Sequence, residues 1–225
     1  MDSSERSQAV WRTESGRRPD SAAGWRLFMA DSRSSREFRD EYQVETALIL
    51  GRQQTDELEA WLRDAPAQDL KIVTSAAMLL PRTRFHLEEP LYQDDWQGYP
   101  ASLRSLLALL CDHQVRNVVF LSGDAHLACS AEITVKHHAS GNACVFHSHH
   151  APPLYAPYPF ANEIRQNLVL RDRFEFELED AAGARSYECI VKGEVPTETR
   201  QGYGLLHADH DGSAWTLRTE IVDSR

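Results

Sequence analysis

The sequence predicts an α/β fold whose second part is rich in strands, and three observations carry that expectation. From Trp25 to His126, near-continuous apolar runs alternate with amphipathic helical stretches. Each of those apolar runs ends in polar, loop-like residues, as buried strands of an α/β sheet do. Beyond Ala131 the rhythm changes to short strands that alternate apolar and polar residues. With 225 residues, 42% of them hydrophobic, the chain can bury one sizeable core, so one domain is expected.

Residues 1–24 read as a flexible, polar lead-in, because they are dense in Ser, Arg, Asp and Glu and lack apolar periodicity. The domain then occupies 25–225, with an α/β part over 25–130 and a β-rich part over 131–225. "WRLFMADSR" is a short apolar run that ends on Asp31, a strand running into a loop. In "RQQTDELEAWLRDA", Leu58, Trp61 and Leu62 recur at helical spacing among charges, which predicts an amphipathic helix from Gln53 to Asp64. "LKIVTSAAMLL" is a second buried strand, "ASLRSLLALLCDH" a helix with a broad apolar face, and "VRNVVFLSGDAH" a third strand. Between helix and strand signals, residues 81–100 form the longest irregular connection, a lid or site wall. "AEITVK", "NACVFH", "RFEFELED", "SYECIVK", "YGLLHAD" and "SAWTLRTEIV" follow as strands that close or extend a second sheet, with Asp211-Gly212 marking a hairpin turn between the last two.

Charge and cysteine content narrow the function classes. A net charge of -10 disfavours a nucleic-acid or anionic-membrane partner, and an anionic substrate would need a local positive site. No apolar stretch approaches the ~20 residues of a membrane-spanning helix, and the start of the chain is not a basic-then-apolar leader. Cys111, Cys129, Cys144 and Cys189 have no CxxC spacing and lie in or beside apolar runs, so they read as buried thiols in a reducing, cytoplasmic setting.

In an open α/β sheet, function gathers outside the carboxyl ends of the strands, and here those ends carry Asp31, Ser75 and the Gly123-Asp124-Ala125-His126 block. Gly123 permits a tight turn, and Asp124 with His126 offers an oxygen and a nitrogen donor to one cation. Asp124 would serve equally as a cap of backbone amides, with His126 an ordinary loop residue. His147, His149 and His150 form a second histidine group without metal-finger spacing. They read either as additional ligands or as solvated residues packed on nearby Tyr and Pro.

"FMADSRSSRE", "ILGRQQTDELEAWL", "LKIVTS", "DDWQGYPASLRSLLALL" and "NVVFLSGDAHLACSAEI" resemble, in this order and spacing, the later part of the PhoD-like alkaline phosphatase D family of metallophosphoesterases. The likeness covers roughly residues 25–133, and "HAPPLYAPYPFANE" with the strand-rich tail resembles the end of the domain in a large subgroup. The resemblance implies a calcineurin-like sandwich that hydrolyses phosphate mono- or diesters at a di-metal centre. Two divalent or trivalent ions are expected for the complete domain, with iron and calcium as candidates. His126 is then the leading metal ligand and Asp124 the second, the Gly-Asp-x-His block standing where related enzymes carry Gly-His-x-His. Asp31, Arg33 and Arg36 match the family's Asp-x-Arg-x-x-Arg segment, which implies a catalytic part for Asp31 and Arg33. Arg33 and Arg36 either face the phosphate of the substrate or form an Asp-Arg salt bridge that organises the loop. Trp96 either stacks on substrate or packs as wall and core, and Asp94 or Asp95 is expected to cap the turn that follows.

The family's earlier ligand blocks have no counterpart before Asp31. The chain is therefore expected to be an N-terminally truncated domain, weakly active or inactive alone. A central strand would be left at an open edge that self-associates or accepts an N-terminal half. The rival expectation is a non-catalytic scaffold or partner-binding remnant of the same fold.

Overall fold

The computed structural model describes residues 11–17, 21–81, 94–123, 127–154, 170–180, 183–195 and 201–223. Among them run β1 (Arg12–Arg17), β2 (Gly24–Ala30), α1 (Gly51–Asp64), β3 (Leu70–Ser75), a 3-10 turn (Trp96–Gly98), α2 (Pro100–Asp112) and β4 (Val118–Ser122). β5 (Cys129–His137), β6 (Ala143–His150), β7 (Arg171–Asp180), β8 (Gly183–Glu194), β9 (Gly202–His210) and β10 (Trp215–Asp223) complete the described elements. The two helices and the strands of the first part fall where their periodicity predicts them.

Among the described residues eight strands form one mixed sheet in the order β1-β2-β3-β4-β6-β5-β8-β7, and β9 pairs only with β10. β2, β3, β4 and β6 are mutually parallel, whereas β1, β5, β7 and β8 join antiparallel. Two expectations are corrected here. The strands after Ala131 do not build a second sheet as a group: β6 pairs in parallel with β4, so β5 to β8 extend the first sheet, and only the last two strands stand apart. Alternating apolar residues reveal a strand with one buried face, but not which neighbour its backbone bonds.

The expected flexible lead-in also contains structure. Residues Arg12–Arg17 pair antiparallel with β2 in the register Arg12↔Met29 to Arg17↔Gly24. This strand is mostly exposed and carries Arg12, Glu14 and Arg17. An edge strand can be polar because its pairing is made by the backbone, and charge there discourages further pairing. The edge of β2 that the sequence reading leaves open is thus covered by β1.

One face of the sheet holds the core. Phe28, Val73, Phe120, Phe146, Ile133 and Val191 lie beneath Leu58 and Leu62 of α1 and Leu103, Leu106, Leu107 and Leu110 of α2. Phe28 meets Trp61 at 5.6 Å between ring centres, and Phe120 meets Phe146 at 5.6 Å. In α1, Gln54, Leu58 and Leu62 recur every four residues and make its buried stripe. Pro100 opens α2 at a position where its missing N–H is not needed. All four described cysteines are buried free thiols, as the sequence reading expects. None of the described helices is long and apolar enough to cross a membrane.

The opposite face is divided. Strand alternation places Leu27, Ile72 and Leu121 on its β2–β4 side and His147, His149, Ser130, Glu132 and Lys192 on its β6–β5–β8 side. The β9–β10 ribbon lies over the apolar part. A cleft of about 950 Å³ opens between them, walled by Trp25, Leu70, Ile72, Leu206 and Trp215. Trp215 Nε1 donates to the Gln68 carbonyl at 2.8 Å, and the Gly202 amide donates to that of Pro153 at 2.9 Å.

Candidate functional site

The four parallel strands align their carboxyl ends in one row, Ala30↔Ser75↔Ser122↔His150. The next residues along β2 and β4 are Asp31 and Gly123, so both emerge at the same edge of the sheet. Two strand spacings of ~4.8 Å separate those strands. Asp124 and His126 lie outside the described residues.

Asp31 Oδ1 accepts from the amides of Arg33 and Ser34, at 3.0 and 2.9 Å, closing the loop after β2. Burial works to raise its pKa, but the Ser34 amide and hydroxyl and the Arg33 amide outweigh it and hold the carboxyl below its usual range. The Asp31 backbone is clamped by Gln54. Its N–H donates to Oε1 at 2.8 Å and its carbonyl accepts from Nε2 at 3.0 Å. Gln54, 1% exposed in the apolar stripe of α1, therefore positions the crevice. The sequence signal for it is a polar residue at a buried helical position.

Arg33 and Arg36 both form ion pairs with Asp94. Arg36 Nε also donates to the Ser32 carbonyl at 2.8 Å, and its guanidinium lies 5.6 Å from the Tyr99 ring centre. Arg39 stacks closer on the same ring, at 4.2 Å. Burial pushes the Asp94 carboxyl up, but hydrogen bonds from the two guanidiniums overcome this and keep it below its ordinary range. The salt bridge that organises this loop is therefore Arg33–Asp94–Arg36, with its carboxylate from the segment before α2 rather than from Asp31. The Arg33 side chain is 44% exposed at the crevice.

Asp95 caps the 3-10 turn as expected, accepting from the amides of Gln97 and Gly98. Trp96 is 2% exposed and its Nε1 donates to Ser75 Oγ at 3.2 Å. Of the two roles the sequence leaves open, the structure places this indole in the core rather than on a surface for stacking. Residues 82–93 of the expected lid lie outside the described residues.

The three later histidines do not form one cluster, because successive residues of β6 face opposite ways. His150 lies on the core face, buried, with Ser122 Oγ 3.0 Å from its Nε2. Burial lowers its pKa to about 4, the Gly123 backbone opposing and His149 adding to the effect. His147 and His149 lie on the other face with ring centres 6.2 Å apart and planes 7° from parallel. Ser130 Oγ is 3.0 Å from His149 Nδ1. Burial, then the neighbouring His147, lowers the His149 pKa to about 4. No group of three or more His, Cys, Asp or Glu side chains that could hold a metal ion occurs among the described residues.

Comparison with known proteins adds two findings. A family model described as PhoD-like phosphatase matches residues 12–204. A solved structure titled "Structure of PhoD" aligns with 11% identity and a TM-score of 0.39, covering 89% of this chain and 42% of that one. The chain thus spans less than half the length of that structure. No curated protein matches it.

Proposed function

The chain belongs to the PhoD-like phosphatase family, and from that membership we propose that it acts on phosphate mono- or diesters at the carboxyl edge of β2, β3 and β4. The family match over residues 12–204 is the observation that carries this reading. The crevice chemistry supports it. Arg33 and Arg36 both pair with Asp94, and Arg33 is 44% exposed, so a phosphate dianion arriving there meets a planar donor fork suited to bidentate contact. In this reading Asp31 holds the Arg33 and Ser34 amides, Gln54 fixes the Asp31 backbone, and Asp94 keeps both guanidiniums aimed until substrate competes for them.

Members of the family are metal-dependent. We assign Asp124 and His126 to that cation, a carboxylate and an imidazole being apt donors for iron or a related ion. A cation there would supply charge against the phosphoryl oxygens. Asp124 and His126 are the two ligands that the family resemblance gives for this chain. Two ligands hold a metal far less well than a complete shell does, so we propose weak activity for these 225 residues on their own.

Metal content and turnover of an aryl phosphate, measured on one tag-free preparation, test the proposal. Expected is metal-dependent turnover well below the ordinary enzymatic range of ~1 to 1,000 per second, falling at least tenfold in Arg33→Ala. A chain that takes up no metal and hydrolyses no ester overturns the hydrolase reading in favour of a non-catalytic scaffold. A full enzymatic rate overturns the weak-activity claim instead.

A further inference from the structure

We infer that His147 and His149 form a chelating pair for a divalent transition-metal ion on the face of the sheet opposite the helices, beside the β9–β10 ribbon. Both histidines belong to β6 and are two residues apart, so they share a face, away from the helices. β6 neighbours β4, where His147 and His149 pair with Val119 and Leu121, and lies three strands, ~14 Å, from the strand that carries Asp31.

Two histidines at i and i+2 of one strand bring their rings within reach of a shared cation. With metal–nitrogen bonds of ~2.1 Å, each ring centre sits ~3.2 Å from the cation, so a tetrahedral pair has ring centres ~5.2 Å apart. The observed separation is 6.2 Å with ring planes 7° from parallel, so chelation turns the rings about their Cβ–Cγ bonds until one nitrogen of each faces the same point. Ser130 Oγ engages Nδ1 of His149 and leaves Nε2 as the nitrogen for a cation, the arrangement by which a hydrogen bond orients a metal-ligating imidazole.

Access agrees with this assignment. Both residues line a groove of about 290 Å³ with Ser130, Glu132, Glu194, Arg171 and Lys192. Glu132 is the cross-strand partner of His147 and Glu194 that of Ser130. Glu132 forms an exposed ion pair with Lys192 at 3.2 Å, an interaction weak enough to be rearranged when a cation arrives. Imidazole donors beside carboxylates suit Zn²⁺ and Cu²⁺ over Ca²⁺ or Mg²⁺.

Titration of the tag-free chain with Cu²⁺ and Zn²⁺, followed by calorimetry and by electron paramagnetic resonance of the Cu²⁺ form, tests the pair. One ion per chain is expected at this site with a Kd below ~100 µM. The resonance should show two coordinating imidazole nitrogens in the unaltered protein and one in either His147→Ala or His149→Ala, with affinity at least tenfold weaker. The double variant Asp124→Asn/His126→Ala should retain the ion, which separates this site from the one assigned to hydrolysis. Loss of binding only in that double variant overturns the inference, as does a spectrum without two imidazoles in the unaltered protein, an observation that needs no variant to fold.

Discussion

Lys71 lies buried at the amino end of β3, and its ammonium donates to the carbonyls of Pro66, Asp69 and Arg116 at 2.9 to 3.0 Å. Those carbonyls belong to the loops after α1 and α2, so one side chain ties both helix exits to the sheet. Lys71→Met keeps the aliphatic stem but leaves three acceptors without their donor, and should lower stability by ~2 to 3 kcal/mol in urea unfolding. Asp69 beside it accepts from the Gly24 amide at 2.8 Å and from Arg26 Nε at 2.9 Å. Burial raises its pKa, but these two partners outweigh it and the folded carboxyl sits below its ordinary value. A depressed carboxylate contributes stability that is present above the unfolded pKa and is lost as pH falls through the lower, folded one. Unfolding free energies measured from pH 5 down to pH 2 should therefore fall less steeply in Asp69→Asn than in the unaltered chain, from a lower starting value. Neither residue is legible beforehand: a lysine in "LKIVTS" reads as a flaw in an apolar strand until the carbonyls around it are seen. The candidate site is legible in outline, since Asp31, Arg33 and Arg36 stand at the predicted strand end. Their shared partner Asp94 lies 58 residues beyond Arg36, and only tertiary structure makes that pairing.

At the scale of the element, α1 shows how a helix start can set a loop. Gly51 begins the helix with φ +66°, and a Cβ there would lie 2.5 Å from the Ser35 carbonyl oxygen. Backbone and loop are thus in direct contact, one residue away from the Arg33–Asp94–Arg36 network. Gly51→Ala combines a left-handed conformation with a collision against backbone, so it should cost more than the ~1 kcal/mol that such a conformation alone costs. It should also displace the Ser32–Ser35 loop, read as weaker binding of inorganic phosphate, whereas Gly141→Ala, whose added carbon meets nothing within 4 Å, should leave phosphate binding unchanged. Helices and strands of the first part were readable because burial imposes periods of 3.6 and 2 on the sequence. β1 was not, since an exposed edge strand carries no apolar period. Pairing of β6 with β4 was hidden for a different reason: register and neighbour are chosen by backbone bonding across the 20 residues between Ser122 and Ala143, to which residue patterning is blind.

For the whole molecule, stability is distributed unevenly between the eight-stranded sheet and the two-stranded ribbon. β3 and β4 have hydrogen-bonded neighbours on both sides, and Val73 and Phe120 on their inner face pack beneath the helices. β9 and β10 bond only each other among the described strands, and a lone pair of strands is marginal in water unless something holds its face. Here the holding contacts include the Trp215 indole on the Gln68 carbonyl and the Gly202 amide on the Pro153 carbonyl, and Leu205 and Ile221 line a small pocket of about 90 Å³ with Leu121. Local opening free energy should follow that difference. Amide hydrogen exchange is expected to be at least tenfold faster in Gly202–His210 and Trp215–Asp223 than in Leu70–Ser75 and Val118–Ser122. Trp215→Ala removes one anchor and should speed exchange in the ribbon while leaving β3 and β4 unchanged, because the ribbon contributes no backbone bond to the sheet. Equal protection in ribbon and sheet, or a Trp215→Ala effect that spreads to β3, would show instead that the two unfold as one cooperative unit and that the ribbon is an integral layer of the fold.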